Sequence, residues 1–215
     1  MANSDQRRQK KRERQKAKRK ERRQELVKRK NRSLADQMAE AAQGPVLHCF
    51  IAADFEDRRF GYALLSRCLP SGEVACAMFF LDAYCLGVRA ADGQVGPRDR
   101  YEEATALLRE RIRLKAVAPE VLKGYLEALI EYARDLGFEP PAAYSRLAPL
   151  LSPIEPDEEA QQLECGEMGK PVFFFDGSDH ARRARVLKTL EEGLGPDGFM
   201  CANLDSDFDE WDGEL

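Results

Sequence analysis

From Val74 to Leu81 the chain carries eight consecutive apolar residues, bounded by Pro70-Ser71-Gly72 before and Gly87 after. A strand with one wet face alternates apolar and polar side chains. An unbroken run between turn signals, rich in Phe, reads instead as a strand covered on both faces. The run therefore demands a sheet and further elements packed against it. Asp82 is the first acid behind it.

The neighbouring segments supply the sheet. Residues 46–53 form a second apolar run ending at Asp54, and residues 62–69 a third. Pro70-Ser71-Gly72 has the residues of a tight turn, so the last two runs form a hairpin and the three strands an antiparallel meander. Between the first two lies a loop, residues 55–59. Residues 90–98, with Asp92-Gly93 and Gly96-Pro97, also read as loop. Residues 101–117 and 121–136 are amphipathic at helical spacing, the second carrying Leu122, Leu126, Leu129, Ile130 and Ala133 on one face. Pro119 separates them and Gly137 stops the second. This pattern predicts a helix hairpin covering one face of the sheet. Residues 140–159 read as a surface loop with one short turn near 144–151. A fourth strand is expected at 172–175, a helix capped by Ser178 or Asp179 from His180 onward, and a last short strand at 199–204. The fold class is α+β: a three- to four-stranded antiparallel sheet, a helix hairpin and a C-terminal strand-helix. A basic arm (1–43), one domain (44–204) and an acidic tail (205–215) make up the chain.

Charge is distributed unevenly. Residues 1–32 hold 16 of the 34 Lys and Arg and four of the 38 Asp and Glu, so that stretch stands at +12 and the remainder at −16. The basic residues are Arg7, Arg8, Lys10, Lys11, Arg12, Arg14, Lys16, Lys18, Arg19, Lys20, Arg22, Arg23, Lys28, Arg29, Lys30 and Arg32. No apolar seam runs through them, which argues against a coiled coil. Phosphate neutralisation is the chemistry such an arm offers, with RNA or the ribosome as the expected partner and DNA as another. Ser33 caps a following segment that turns apolar on one side. No apolar run approaches the roughly 18 residues of a membrane span, and no apolar stretch follows the charged N-terminus as in a secretory signal. The six cysteines include no CxxC pair, and four sit in strand-like runs. They read as reduced small hydrophobes, and the location expected is cytoplasmic.

Four stretches share a pattern: Asp82-Ala83-Tyr84-Cys85-Leu86-Gly87-Val88, Tyr132-Ala133-Arg134-Asp135-Leu136-Gly137-Phe138-Glu139-Pro140, Gly169-Lys170-Pro171-Val172-Phe173 and Leu194-Gly195-Pro196-Asp197-Gly198-Phe199. Together they resemble the signatures of a family of uncharacterised bacterial proteins. The resemblance spans residues 60–200. It implies a bacterial cytoplasmic protein and carries no activity with it. Pro140-Pro141 stands where the pattern has Pro-His, so no histidine is present there.

Three acids end strands: Asp54, Asp82 and Asp176. In a meander the first and third strands run the same way, which sets Asp54 and Asp82 at one sheet edge, on the order of 10 Å apart. With Asp176 they would form the carboxylate set that a ribonuclease H-like nuclease uses to hold Mg²⁺. Aspartate at strand ends is equally ordinary turn chemistry. Gly169-Lys170-Pro171 lacks the spacing of a phosphate loop. His48 reads as a core or cross-strand residue and His180 as a first-turn helix residue. The function expected is therefore a non-enzymatic nucleic-acid or ribosome-associated protein without a cofactor. A protein-interaction adaptor, docking through Phe208 and Trp211 in the acidic tail, is one alternative. The Mg²⁺-dependent nuclease is the other.

Overall fold

The computed structural model describes residues 32–175 and 179–203. The chain is α+β. Strands β1 (Val46–Ala52), β2 (Phe60–Cys68), β3 (Val74–Asp82) and β4 (Gly87–Gly96) form a meander. A short β5 (Leu114–Ala116) returns beside β1, giving the order β4-β3-β2-β1-β5 with every pair antiparallel. The run at 74–81 is β3 up to its last residue, Asp82. Its Ala75, Ala77, Phe79 and Leu81 are fully buried on one face, while Cys76, Met78 and Phe80 on the other are half-buried.

The sheet is larger than the three or four strands expected, for two local reasons. The Asp92-Gly93 pair that reads as a turn lies inside β4. A Cβ on Gly93 would fall 2.5 Å from Leu147 Cδ2 and 2.7 Å from Cys76 O, so this glycine admits a close approach and makes no turn. The amphipathic pattern of 101–117 also runs too far. The helix (Arg98–Arg111, α3; the single turn Phe55–Arg58 is α2) stops where Ile112 becomes extended at φ −128°, ψ 127°. Ile112 and Leu114 continue the apolar spacing, but Ile112 belongs to the approach to β5 and Leu114 to β5 itself.

That strand also undoes the expected helix hairpin. α4 (Pro119–Asp135) covers the face of Phe79 and Leu81 with Leu122, Leu126 and Leu129. α3 lies across the opposite face, where its Tyr101 hydroxyl meets Ser66 Oγ at 2.8 Å and His48 Nδ1 at 2.8 Å. The two helices thus sit on opposite sides of the sheet.

α1 (Leu34–Ala41) is N-capped by Ser33, whose Oγ accepts from Asp36 N at 3.2 Å. Met38 and Ala41 are fully buried in the main core with Ile51, Leu65, Leu126 and Leu150. Arg67 ties the segment behind it to β2 by donating to Ala42 O and Gly44 O. The helix is therefore part of the folded body, and the expected break at 43/44 falls behind a core element. α5 (Ala142–Leu147) and a 3₁₀ turn (Ala148–Leu151) close the same side of the core.

The C-terminal part is a small βαβ unit: β6 (Val172–Phe175), α6 (His180–Leu194) and β7 (Met200–Asn203), with β6 and β7 parallel. Asp179 caps α6, its Oδ1 accepting from Arg182 N at 2.9 Å. The four signature stretches meet where this unit joins the main sheet. Cys85 and Leu86 of the first, Leu136 and Phe138 of the second, Phe173 of the third and Phe199 of the fourth share one apolar cluster with Val186 and Leu190. Among the described residues no helix is long and apolar enough to cross a membrane.

Candidate nucleic-acid interface

Arg7 through Lys30 lie outside the described residues, as do Asp176, Phe208 and Trp211. Arg32, the last of the basic series, is described and pairs with Glu40 on α1.

The two described strand-end aspartates have different surroundings. β1 and β3 both run antiparallel to β2, so Asp54 and Asp82 stand at one end of the sheet. Asp82 is fully buried, and its Oδ1 accepts from Tyr84 N and Cys85 N, each at 3.0 Å. It closes the β3–β4 turn, which the chain needs because Gly87 follows in the left-handed region at φ 65°. Among the described residues Oδ2 has no hydrogen-bond partner. Burial without that partner raises the carboxyl pKa to about 6, against the opposing pull of the Cys85 N–H and the Arg89 charge. Asp54 instead is exposed and pairs with Arg58, Oδ2 to Nε 3.4 Å. Phe60, the β2 partner of Asp82, lines the open space beside Asp54, whereas Asp82 does not. The structure does not bring these carboxylates into one pocket. Among the described residues no three His, Cys, Asp or Glu side chains gather as metal ligands.

His48 is half-buried and stacks on Phe50 and Tyr101 at centroid distances of 5.1 and 5.7 Å. Its pKa is lowered by burial and by the charges of Arg109 and Arg98. Ser66 Oγ, fully buried, also receives His48 N at 3.1 Å. The Ser66-Tyr101-His48 chain has the residue types of a nucleophile relay but not its access, since the hydroxyls face each other and not solvent. Its effect is to fasten α3 to the sheet.

An open groove of about 450 Å³ lies on this face at the Asp54 end. Tyr62 and Phe80, cross-strand partners on β2 and β3, form its floor with ring centroids 4.7 Å apart. Phe80 meets Phe60 edge-on at 5.0 Å and 78°, and Phe60 meets Phe174 at 5.9 Å and 76°. The floor is the outer end of a packed aromatic series that continues into the βαβ unit. Arg58, Arg111 and Arg113 stand around it, and Asp54 is the one acid in the lining among the described residues. None of these aromatics or arginines was singled out in the sequence. The available signal was the pair of basic residues flanking Ile112, of which Arg111 ends α3 and Arg113 lies in the approach to β5.

Compared with known proteins, the chain matches no family model, no curated protein and no solved structure.

Proposed function

We propose that this chain is a non-enzymatic nucleic-acid-binding protein that takes RNA, including ribosomal RNA, by its phosphate backbone through the basic residues of 1–32. The observation carrying this reading is the separation of charge, +12 in those residues against −16 in the rest. A polyanion is repelled by the acidic body and attracted to the arm. Each Lys or Arg that meets a phosphate releases a condensed counterion, so affinity comes from charge number and falls with salt. Contacts to phosphate carry no base information, and the arm therefore positions the protein without reading sequence.

The test uses the full chain with Arg7, Arg8, Lys10, Lys11, Arg12 and Arg14 changed to Gln. Binding to a structured RNA is measured across about 50–300 mM salt, the range in which counterion release dominates. Removing one phosphate-paired cation lowers the slope of log affinity against log salt by about 0.9, so removing all six flattens it by roughly 5. An unchanged slope would overturn the reading. An unchanged protein partner in a pull-down, with no RNA bound by the native chain, would favour the adaptor.

A further inference from the structure

We propose that the groove over Tyr62 and Phe80 is a stacking site for an unpaired nucleotide of single-stranded RNA, with Arg58, Arg111 and Arg113 set against the flanking phosphates. The inference rests on the nucleic-acid reading above and adds a second, base-facing contact in the folded body.

Three observations converge on it. Tyr62 is 36% exposed, although it lies on a strand of the main sheet and has an aromatic cross-strand partner. An exposed ring on an antiparallel sheet offers a π-face, and every base has one, so stacking there is tolerant of sequence. The rings are also held in place: Phe80 is gripped by Phe60, and Phe60 by Phe174 and the Arg89 guanidinium at 5.7 Å. A fixed platform loses little freedom when a base lands on it. Finally, among the described residues three arginines surround the groove against one aspartate, which is already paired with Arg58, although residues 33–215 together stand at −16. That local excess of cation matches phosphate and is wrong for a metal ion. The volume of about 450 Å³ lies within the range of small-ligand sites, about 300–1,000 Å³.

The chain's own acidic end is the competing occupant. Met200 and Ala202 of β7 pack on the cluster of Phe60 and Phe174 that also holds Phe80, and in sequence this strand is followed by the acidic residues 205–215. They carry the chain's single tryptophan, Trp211, which reports on that possibility directly.

The experiment measures binding of the full-length protein to a single-stranded oligouridine and to a blunt RNA duplex of equal length. Tyr62→Ala is expected to weaken oligouridine binding roughly tenfold while leaving the duplex unaffected, because the duplex has no unstacked base to offer. Tyr62→Phe keeps the ring and should keep the affinity. The Arg111→Ala/Arg113→Ala double variant should lower the salt slope for oligouridine by about 1.4, two phosphate pairings at about 0.7 each. Equal affinity of Tyr62→Ala and native protein for oligouridine would overturn the proposal, as would an equal loss on both probes. A shift of Trp211 emission in Tyr62→Ala with oligouridine affinity unchanged would assign the groove to the acidic end and also overturn it. Loss of duplex binding in the arm variant together with an unaffected Tyr62→Ala removes the groove alone. Failure of the native chain to bind either probe removes both readings.

Discussion

Asp82 shows how a carboxyl at a strand end serves the backbone around it. It ends the most apolar strand of the chain, which is where metal-binding acids often stand, yet it is consumed by the turn that follows. Its pKa has a measurable consequence. The folded-state value of about 6 lies above the ordinary 3.8, so the native protein keeps a proton that the unfolded chain releases between those two values. The stability tied to this group is fully present below about 3.8 and is lost as pH rises through 6. The difference is on the order of 3 kcal/mol. Asp82→Asn keeps an oxygen for the Tyr84 and Cys85 N–H groups and has no proton to lose. The variant is expected to be more stable than the native protein at pH 7.5 by about 1–3 kcal/mol, with the gap closing by pH 4. Urea denaturation of both proteins at several pH values checks this, because carboxylates elsewhere cancel in the comparison. A gap that stays constant with pH would show that burial does not hold the proton.

Elements differ in how openly their residues announce them. α4 is legible because Leu122, Leu126 and Leu129 repeat at helical spacing, and its end is legible because Gly137 makes the expected stop. There the N–H of Phe138 bonds Ala133 O at 2.8 Å and that of Gly137 bonds Arg134 O at 2.8 Å, a glycine-terminated Schellman closure. β4 was hidden by Asp92-Gly93, because a glycine needed for close packing looks the same in sequence as one needed for a turn. β5 was hidden because three residues carry no periodicity. The side on which a helix lies is set by strand order, and no residue of α3 declares it. Gly87 shows the two uses of glycine combined. Its φ of 65° disfavours a side chain, and a Cβ would fall 2.3 Å from Leu129 O and 2.8 Å from Ala133 Cβ. Gly87→Ala must therefore strain the β3–β4 turn and push α4 away together. The expected loss is roughly 2–5 kcal/mol by denaturant titration, the left-handed cost plus the overpacking cost. A loss below about 1 kcal/mol would mean that α4 can shift without penalty.

At the scale of the molecule, the joint between the sheet and the βαβ unit brings together four stretches that lie far apart in the chain. The β3–β4 turn supplies Cys85 and Leu86 to the joint, and its backbone is held as well: Ala83 O accepts from Gly166 N, and Tyr84 O accepts from Val172 N and from the Tyr132 hydroxyl. A second cluster, built on the neighbouring residues Tyr84, Val172 and Phe174, runs through Phe60 to the floor of the groove. Candidate site and joint are thus mechanically one body, and the surface over Tyr62 is only as rigid as the seating of β6. That the arm binds polyanions is suggested by charge alone. The groove could not be read this way, because Tyr62, Phe80 and Arg111 are brought together by strand pairing and by a helix on the unexpected face. The coupling can be tested through Phe173, which is buried in the joint and absent from the groove lining. Phe173→Ala is expected to cost about 3–5 kcal/mol. It should lower one shared midpoint, with the thiols of Cys49 in the main core and Cys85 in the joint becoming reactive at the same urea concentration. Two separated labelling transitions, with Cys85 exposed while Cys49 stays protected, would mean instead that the βαβ unit opens by itself. In that case the floor under Tyr62 would loosen before the core does, and single-strand binding would fade at urea concentrations where the main sheet is still folded.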